Sequence, residues 1–501
     1  MKYSFNTYKR VIFSLCIITL CSCNLATKST YSFKVFETSK SGHKLSEIDS
    51  FKMGLDLLKF KIFPDSTYQT ITGFGGAFTE STSHLLMKMS PEKRAEIIDA
   101  YFSDQGAKYS LTRTHMNSCD FSVDHYSYAP VENDTLLKAF TIKPDEDDVI
   151  PVIKLAQKSS SSGFKIIASP WTAPPWMKTN NNWVGGELLP KYYKTWALFF
   201  SKYISAYEQL GIDIWGVTVE NEPLGNGNNW ESMHYTPESM TQFVTKYLGP
   251  QLEADFNKNI VLLGYDQNRQ ELKEWVDEMY KDSISSSYYN GTAIHWYEST
   301  YDYFPKALQY AHAKAPNKYL IQTEACVDSE VPVWNNDNWY WEKYATDWGY
   351  DWREAEKKYL HPKYAPVNRY ARDIIGCMNN WVDGWVDWNM VLDKQGGPNW
   401  FKNWCVAPVI VEPETDSIYY TPLYYVMSHF SKFIRPGAEV VKVQAENSEI
   451  MVTAAVNLDG SVVFIAFNEY DNAHTYEIEI DGVKETLSIG PQSLQTVVIT
   501  N

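Results

Sequence analysis

The chain lacks an excess of positive charge, paired cysteines, a histidine pair and any long apolar run beyond its first residues, and each absence removes a class of protein. With 45 Lys and Arg against 61 Asp and Glu, the formal net charge is −16 at neutral pH. A phosphate backbone would be repelled, so nucleic acid is not an expected partner. Of the seven Cys, Cys16, Cys21 and Cys23 fall in the N-terminal leader, while Cys119, Cys326, Cys377 and Cys405 are scattered. That spacing makes neither a disulfide scaffold nor a zinc site, so buried thiols are expected. None of the ten His pairs with another at helical ligand spacing, and no metal or other cofactor is expected. Gly73-Phe74-Gly75-Gly76 lacks the third glycine of a dinucleotide fingerprint, and no Gly-x-Ser-x-Gly elbow stands at a strand end. No segment after the leader has the length and apolarity of a membrane-spanning helix.

What is present is aromatic. Of 501 residues 44% are hydrophobic and 15% aromatic, with 18 Trp and 35 Tyr, which describes an ordered globular chain with rings to spare for a binding surface. The leader carries Lys2, Lys9 and Arg10 ahead of an apolar run from Val11 to Leu20, the pattern of an export signal. It ends in Leu20-Cys21-Ser22-Cys23, similar to a bacterial lipoprotein processing box with Cys23 as the acylated residue. Residues 1–23 are therefore read as a lipoprotein-type signal peptide, with plain cleavage nearby as the alternative. The mature protein is expected at the bacterial cell envelope, touching the membrane only through that anchor.

Rhythm divides the rest. After a polar linker come alternating runs at Tyr31–Phe36 and Phe60–Phe63. The C-terminal end alternates in the same way over Glu439–Gln444, Ile450–Asn457, Ser461–Asn468, Thr475–Ile480 and Thr496–Thr500, with Asp-Gly turns at Asp459-Gly460 and Asp481-Gly482. Residues 24–68 and 434–501 are assigned to one side β-domain built from both chain ends. Between them, residues 69–433 alternate strand and helix. The candidate strands are Thr72–Ala77, Tyr109–Met116, Lys165–Trp171, Ile212–Val219, Ile260–Tyr265, Thr292–Tyr297, Tyr319–Thr323 and Gly384–Asn389. Eight strand-helix units predict an α/β fold, a closed (β/α)8 TIM barrel, with an open doubly wound sheet as runner-up.

The chemistry is expected where barrel strands end. Ile212–Val219 runs into Glu220-Asn221-Glu222-Pro223, and a proline cannot donate to a sheet ladder, so the acids stand at the rim. Glu220 is read as facing away from Glu222 and as structural. Glu324 ends the seventh strand. Two glutamates on opposite rims of a barrel, among Trp and Tyr, suit cleavage of a glycosidic bond: one protonates the leaving oxygen and the other attacks the anomeric carbon.

Several segments taken together resemble glycoside hydrolase family 30. They include Ser118-Cys119-Asp120-Phe121, Ala168-Ser169-Pro170-Trp171-Thr172-Ala173-Pro174, Val219-Glu220-Asn221-Glu222-Pro223, Ala293-Ile294-His295-Trp296-Tyr297, Thr323-Glu324-Ala325-Cys326-Val327, Trp385-Val386-Asp387-Trp388-Asn389 and Gly396-Gly397-Pro398-Asn399-Trp400. They fall in order over nearly the whole mature chain. The resemblance implies a barrel with a side β-sandwich, Glu222 as acid/base and Glu324 as nucleophile of a retaining mechanism. It further implies Asp120, Trp171, Asn221, His295, Tyr297, Trp388 and Asn399 as substrate-binding residues, with Arg113 supporting the carboxylates. Cys119 and Cys326 are read as thiols packed near the site.

For substrate, an envelope address and the aromatic supply favour a polysaccharide, and the family includes β-1,6-glucanases. The expectation is an endo-β-1,6-glucanase acting on a β-glucan. A β-glucosidase or glucosylceramidase releasing terminal glucose is the alternative, xylan is less favoured, and a non-catalytic carbohydrate-binding lipoprotein is the reading from another class. A segment after Glu324, carrying Trp334, Trp339, Tyr340, Trp341, Trp348, Tyr350 and Trp352, is expected either to overhang the cleft or to pack its own rings.

Overall fold

In the computed structural model the described residues are Met1, 31–49, 57–225, 229–257, 259–299, 301–328, 365–446 and 449–501. Cys23, its leader and the aromatic segment from Trp334 to Trp352 lie outside them.

Eight parallel strands close into a barrel. In chain order they are β1 (Gly73–Phe78), β2 (Leu111–Met116), β3 (Lys165–Pro170), β4 (Gly216–Thr218), β5 (Val261–Asn268), β6 (Gly291–His295), β7 (Tyr319–Glu324) and β8 (Gly384–Asn389). β8 returns to pair with β1 from Gly384↔Gly73 onward, so the sheet has no edge. Leu111, Ile167, Leu263, Ala293, Ile321 and Val386 fill the interior as one apolar layer. The glycines of β1 serve this packing: a Cβ on Gly75 would lie 2.0 Å from the Leu111 carbonyl oxygen.

β4 is shorter than its β-branched run suggests. Regular pairing covers Gly216–Thr218, with single bonds beyond it at Trp215 N to Ile166 O (3.0 Å) and Val219 N to Leu263 O (3.2 Å). Ile212 and Ile214 are buried all the same, on the approach to the strand. Their apolar character answers to the core and not to the ladder.

The second sheet has nine strands and takes members from both chain ends. Ser32–Ser39 pairs antiparallel with Ser493–Thr500, and Leu57–Thr70 lies between Glu439–Ala445 and His474–Ile480. Phe60 packs on Phe464 (ring centroids 5.7 Å apart) although their strands are not neighbours, so the sheet curls over its own core. The short edge strand Ser46–Ile48 has no counterpart in the sequence reading, and neither has Val483–Ile489. The latter closes a hairpin through Asp481-Gly482, both at positive φ, with Ile480 opposite Val483. His429, on the last helix of the barrel, joins the two units by bonding Thr496 and Thr38.

Candidate active site

The strand ends converge on a cavity of about 240 Å³ whose wall includes Asp120, Trp171, Asn221, Glu222, Glu324 and Trp388. At its floor lies Arg113, in mid-β2 and fully buried. Its guanidinium donates to Ser169 Oγ (3.0 Å), Asn221 Oδ1 (2.8 Å), Asp266 Oδ2 (2.7 Å) and Glu324 Oε2. It also sits against the faces of Trp171 and Trp388, 4.8 and 5.5 Å from the ring centres. A planar five-donor fork can hold two carboxylates and an amide at fixed angles, which a lysine could not.

Glu324 ends β7 almost wholly buried and accepts from the Tyr297 hydroxyl at 2.9 Å. Burial raises its carboxyl above the ordinary value; His295 and Arg113 pull the other way, and Glu222 adds to the rise. Glu222 stands opposite, with φ +49. Its backbone N–H donates to the Asp266 carbonyl (3.0 Å), and its carbonyl accepts from Gly225 (2.8 Å), so the chain turns there. One carboxylate oxygen of each glutamate and a ring nitrogen of His295 all lie within 4.8 Å of one another. That is the spacing class of a pair in direct displacement, not of one separated by an intervening water.

The left-handed turn also corrects the reading of Glu220. Residues two apart on a strand share a face, so alternation would not have separated Glu220 from Glu222; the strand ends at Thr218 and the turn separates them. Glu220 is fully buried, neither carboxylate oxygen has a hydrogen-bond partner among the described residues, and burial pushes its carboxyl well up despite Lys178.

His295 does not reach the cavity. It is fully buried behind Glu222, with Nδ1 3.2 Å from Glu222 Oε1 and Nε2 3.1 Å from Asp266 Oδ1. Burial lowers its pKa, but Glu324, Asp266 and Glu222 outweigh this and bring it up to about 9. The Glu222–His295–Glu324 cluster thus sets a ring that favours its protonated form against the carboxylate pair. His295 meets Glu222 and not the open cavity.

Asn399 is likewise displaced from its expected place. Its side chain accepts from Asn403 N (2.9 Å) and donates to Asn403 O (2.7 Å), and Asn403 is the residue on the wall, donating to Asp120 Oδ2 at 3.1 Å. The other oxygen of Asp120 is buried and unpartnered among the described residues. Burial, with the charge of Glu324 next, raises Asp120 well above the usual carboxylate range. Asn221, Trp171, Trp388 and Tyr297 all stand on the wall, the two indoles stacked 5.0 Å apart at 21°.

Asp266 was missed. It lies near the end of β5, where the register slips between Tyr265 and Gln267 and both Tyr265 and Asp266 have positive φ. This bulge aims Asp266 inward to Arg113, His295 and Thr323, and Arg113 and His295 overcome burial to keep its carboxyl well below the ordinary range. The sequence signal was available, since Asp266 follows directly on the expected strand Ile260–Tyr265. Cys119, Cys326 and Cys405 pack with Trp171 and Trp388 as one cluster; Cys326 and Cys405 stand on the cavity wall, their Sγ atoms 3.3 Å apart.

A closed barrel whose mouth holds two facing carboxylates, a buried cationic floor and stacked indoles defines a glycosidase. Comparison with known proteins agrees in detail. The family 30 TIM-barrel domain of the glycosyl hydrolases matches residues 71–434, and the family 30 beta sandwich domain matches residues 437–497. Putative glucosylceramidase 4 of Caenorhabditis elegans is 34% identical over 508 residues, covering 96% of this chain and 93% of that protein. The lysosomal acid glucosylceramidase of Mus musculus is 33% identical over 452 residues, covering 87% and 83%. Among solved structures, the endo-beta1,6-glucanase BT3312 superposes with a TM-score of 0.80 at 26% identity, over 93% of this chain and 98% of that one. The chain belongs to glycoside hydrolase family 30.

Proposed function

We propose that the protein is a retaining endo-β-1,6-glucanase working by double displacement. The observation that carries the mechanism is the close approach of Glu222 and Glu324, the latter held by Arg113 and Tyr297. Glu324 attacks the anomeric carbon while Glu222 gives its proton to the departing glycosidic oxygen, so the C–O bond breaks as the glycosyl ester forms. Water, deprotonated by Glu222, then cleaves that ester and regenerates both groups. Retention follows from two inversions at one carbon.

Each neighbour has a part in this. Arg113 and Tyr297 favour the ionised Glu324. The buried His295 orients Glu222 and stands ready to balance its charge after proton transfer. Asn221, fixed through its Oδ1 by Arg113, has its amide nitrogen left to donate to a sugar hydroxyl beside the reacting carbon. Asp120 offers an oxygen without a protein partner for another hydroxyl, and Trp171 and Trp388 supply apolar faces.

The linkage is favoured by the structural likeness to BT3312 and by the export leader, which puts the chain where polysaccharides are met. The test is the product profile on linear β-1,6-, β-1,3- and β-1,4-glucans beside glucosylceramide. Gluco-oligosaccharides from the β-1,6 polymer, first appearing as the β-anomer by NMR, are expected. Release of glucose from glucosylceramide with no cleavage of β-1,6-glucan would instead establish the terminal-glucose reading.

The same leader supports acylation at Cys23 and a place on the cell envelope. Cells fed an alkyne fatty acid should label the wild-type chain and not Cys23→Ala. Equal labelling of both would remove the anchor.

A further inference from the structure

At the foot of the barrel, opposite the carboxylates, two concavities of about 460 and 430 Å³ lie side by side and share Tyr68, Gln69 and Trp381 in their walls. Their place is fixed by Asn290, Tyr319 and Asp383, which stand at the N-terminal ends of β6, β7 and β8. One concavity continues onto the side β-domain along Val440–Val443 and Ile450–Val452.

Trp381 is the ridge between them, and it is held there against its own backbone preference. Its φ is +74, a left-handed conformation costly for a bulky residue. The turn is tied on several sides. Gln69 Nε2 donates to Met378 O (2.6 Å) and Val382 O (3.1 Å), Asn379 donates to Val452 O (2.9 Å), and Asn380 bridges Gly376 and Gln309. The indole is stacked on His312, centroids 3.7 Å apart and planes 2° apart, and Tyr68, 45% exposed, meets it edge-on at 5.4 Å. Nothing in the barrel core requires a ring at this place. Around it amides and rings are joined on one side by the aliphatic side chains of Val440, Val441, Ile450 and Val452, and the nearby charged groups are engaged elsewhere: Lys318 donates to Ser286 O, Asp383 accepts from Thr72 and Leu320, and Lys442 lies over Phe63.

Rigid rings flanked by amides, with the neighbouring lysines and Asp383 already engaged in contacts of their own, match a neutral polyhydroxylated chain better than an anion or a peptide. Resting on the reading of the enzyme as a glucanase, we propose that the Trp381–Tyr68 ridge is a second carbohydrate site, which holds a β-glucan chain remote from the catalytic cavity. It would keep the polymer on the enzyme between cleavages.

The test uses the full chain with Trp381→Asn, which tolerates the left-handed turn, and independently Tyr68→Ser. Both should turn over a small activated β-glucoside as the wild type does, which reports fold and catalytic cavity together. Retardation in gels containing linear β-1,6-, β-1,3- or β-1,4-glucan is then measured on a Glu324→Gln background, so that the polymer survives. Loss of one stacked ring should weaken retardation by at least one of these glucans roughly tenfold. Undiminished retardation of both ridge variants, or no retardation of the background protein by any of the three, overturns the proposal. Absence of β-1,6-glucan cleavage by the wild type would instead sink the substrate reading, independently of the gel result.

Discussion

Replacing Glu324 by Gln is expected to lower kcat on an activated β-glucoside by roughly 10⁴-fold or more, with ligand binding still measurable. The amide is isosteric, so its oxygen can still accept from Arg113 and the cavity keeps its shape. What disappears is the anionic oxygen that forms the glycosyl ester. An activated leaving group makes the contrast sharp, because its departure needs no proton and a defect in the acid would be masked. The pH profile of the wild type carries the same assignment. Burial raises the Glu324 carboxyl above the ordinary 4.5, so the acid limb of kcat/KM should bend above that value as the nucleophile becomes protonated. A Glu324→Gln enzyme with undiminished turnover would remove the nucleophile from this residue. An acid limb below 4.5 would show that the group is held ionised more firmly than its burial allows.

The barrel was legible because eight apolar strands recur between helical stretches, and the rim acids because the apolar run gives way to Glu220-Asn221-Glu222-Pro223, although the ladder already ends at Thr218. What escaped depends on backbone turns that carry no side-chain signature. Asp266 reaches Arg113 only through the bulge at Tyr265, and a strand pattern registers such a slip as an ordinary end. Asn399 and Asn403 lie in one loop, and composition cannot say which of two asparagines turns to the cavity; the structure spends the first on bracing the second. His295 was placed at a strand end correctly but given the wrong neighbour, since its partners come from β5 and the turn after β4. The hairpin strand Val483–Ile489 stayed hidden because Glu485 interrupts the apolar alternation of Val483, Leu487 and Ile489, although Leu487 and Ile489 are buried. In each case the residue type was informative and the direction of the side chain was not.

The Arg113 network leads to the second large effect: Arg113→Gln should cost about 3–5 kcal/mol of stability and abolish measurable turnover. The loss is not that of one hydrogen bond. Asp266 is wholly buried and Glu324 nearly so, and the guanidinium is the cation both carboxylates touch. Without it two acids must stay charged in a low-dielectric interior or take up protons, and a protonated Glu324 cannot attack. Arg113→Lys restores the charge as a compact ammonium that cannot span Ser169, Asn221, Asp266 and Glu324 together, so it should recover stability more than activity. The pH dependence has a definite sign. Asp266 titrates below its unfolded value near 3.8, so its contribution is present above that pH and is lost as pH falls through the folded value. In Arg113→Gln the buried acids lose the cation that holds them ionised and take up protons at higher pH, which relieves the variant first, so the stability gap should be widest near neutrality and narrow toward pH 4. His295 behaves in the opposite sense: raised to about 9, it contributes fully below about 6.5 and loses that contribution as pH rises through 9. Asp266→Asn removes one of its carboxylate partners, so its alkaline decline should be smaller and should end at lower pH than in the wild type. Urea midpoints between pH 4 and 10 measure all of this. A gap between wild type and Arg113→Gln that stays constant across the range would mean that the guanidinium stabilises by packing between Trp171 and Trp388, not by holding two buried negative charges.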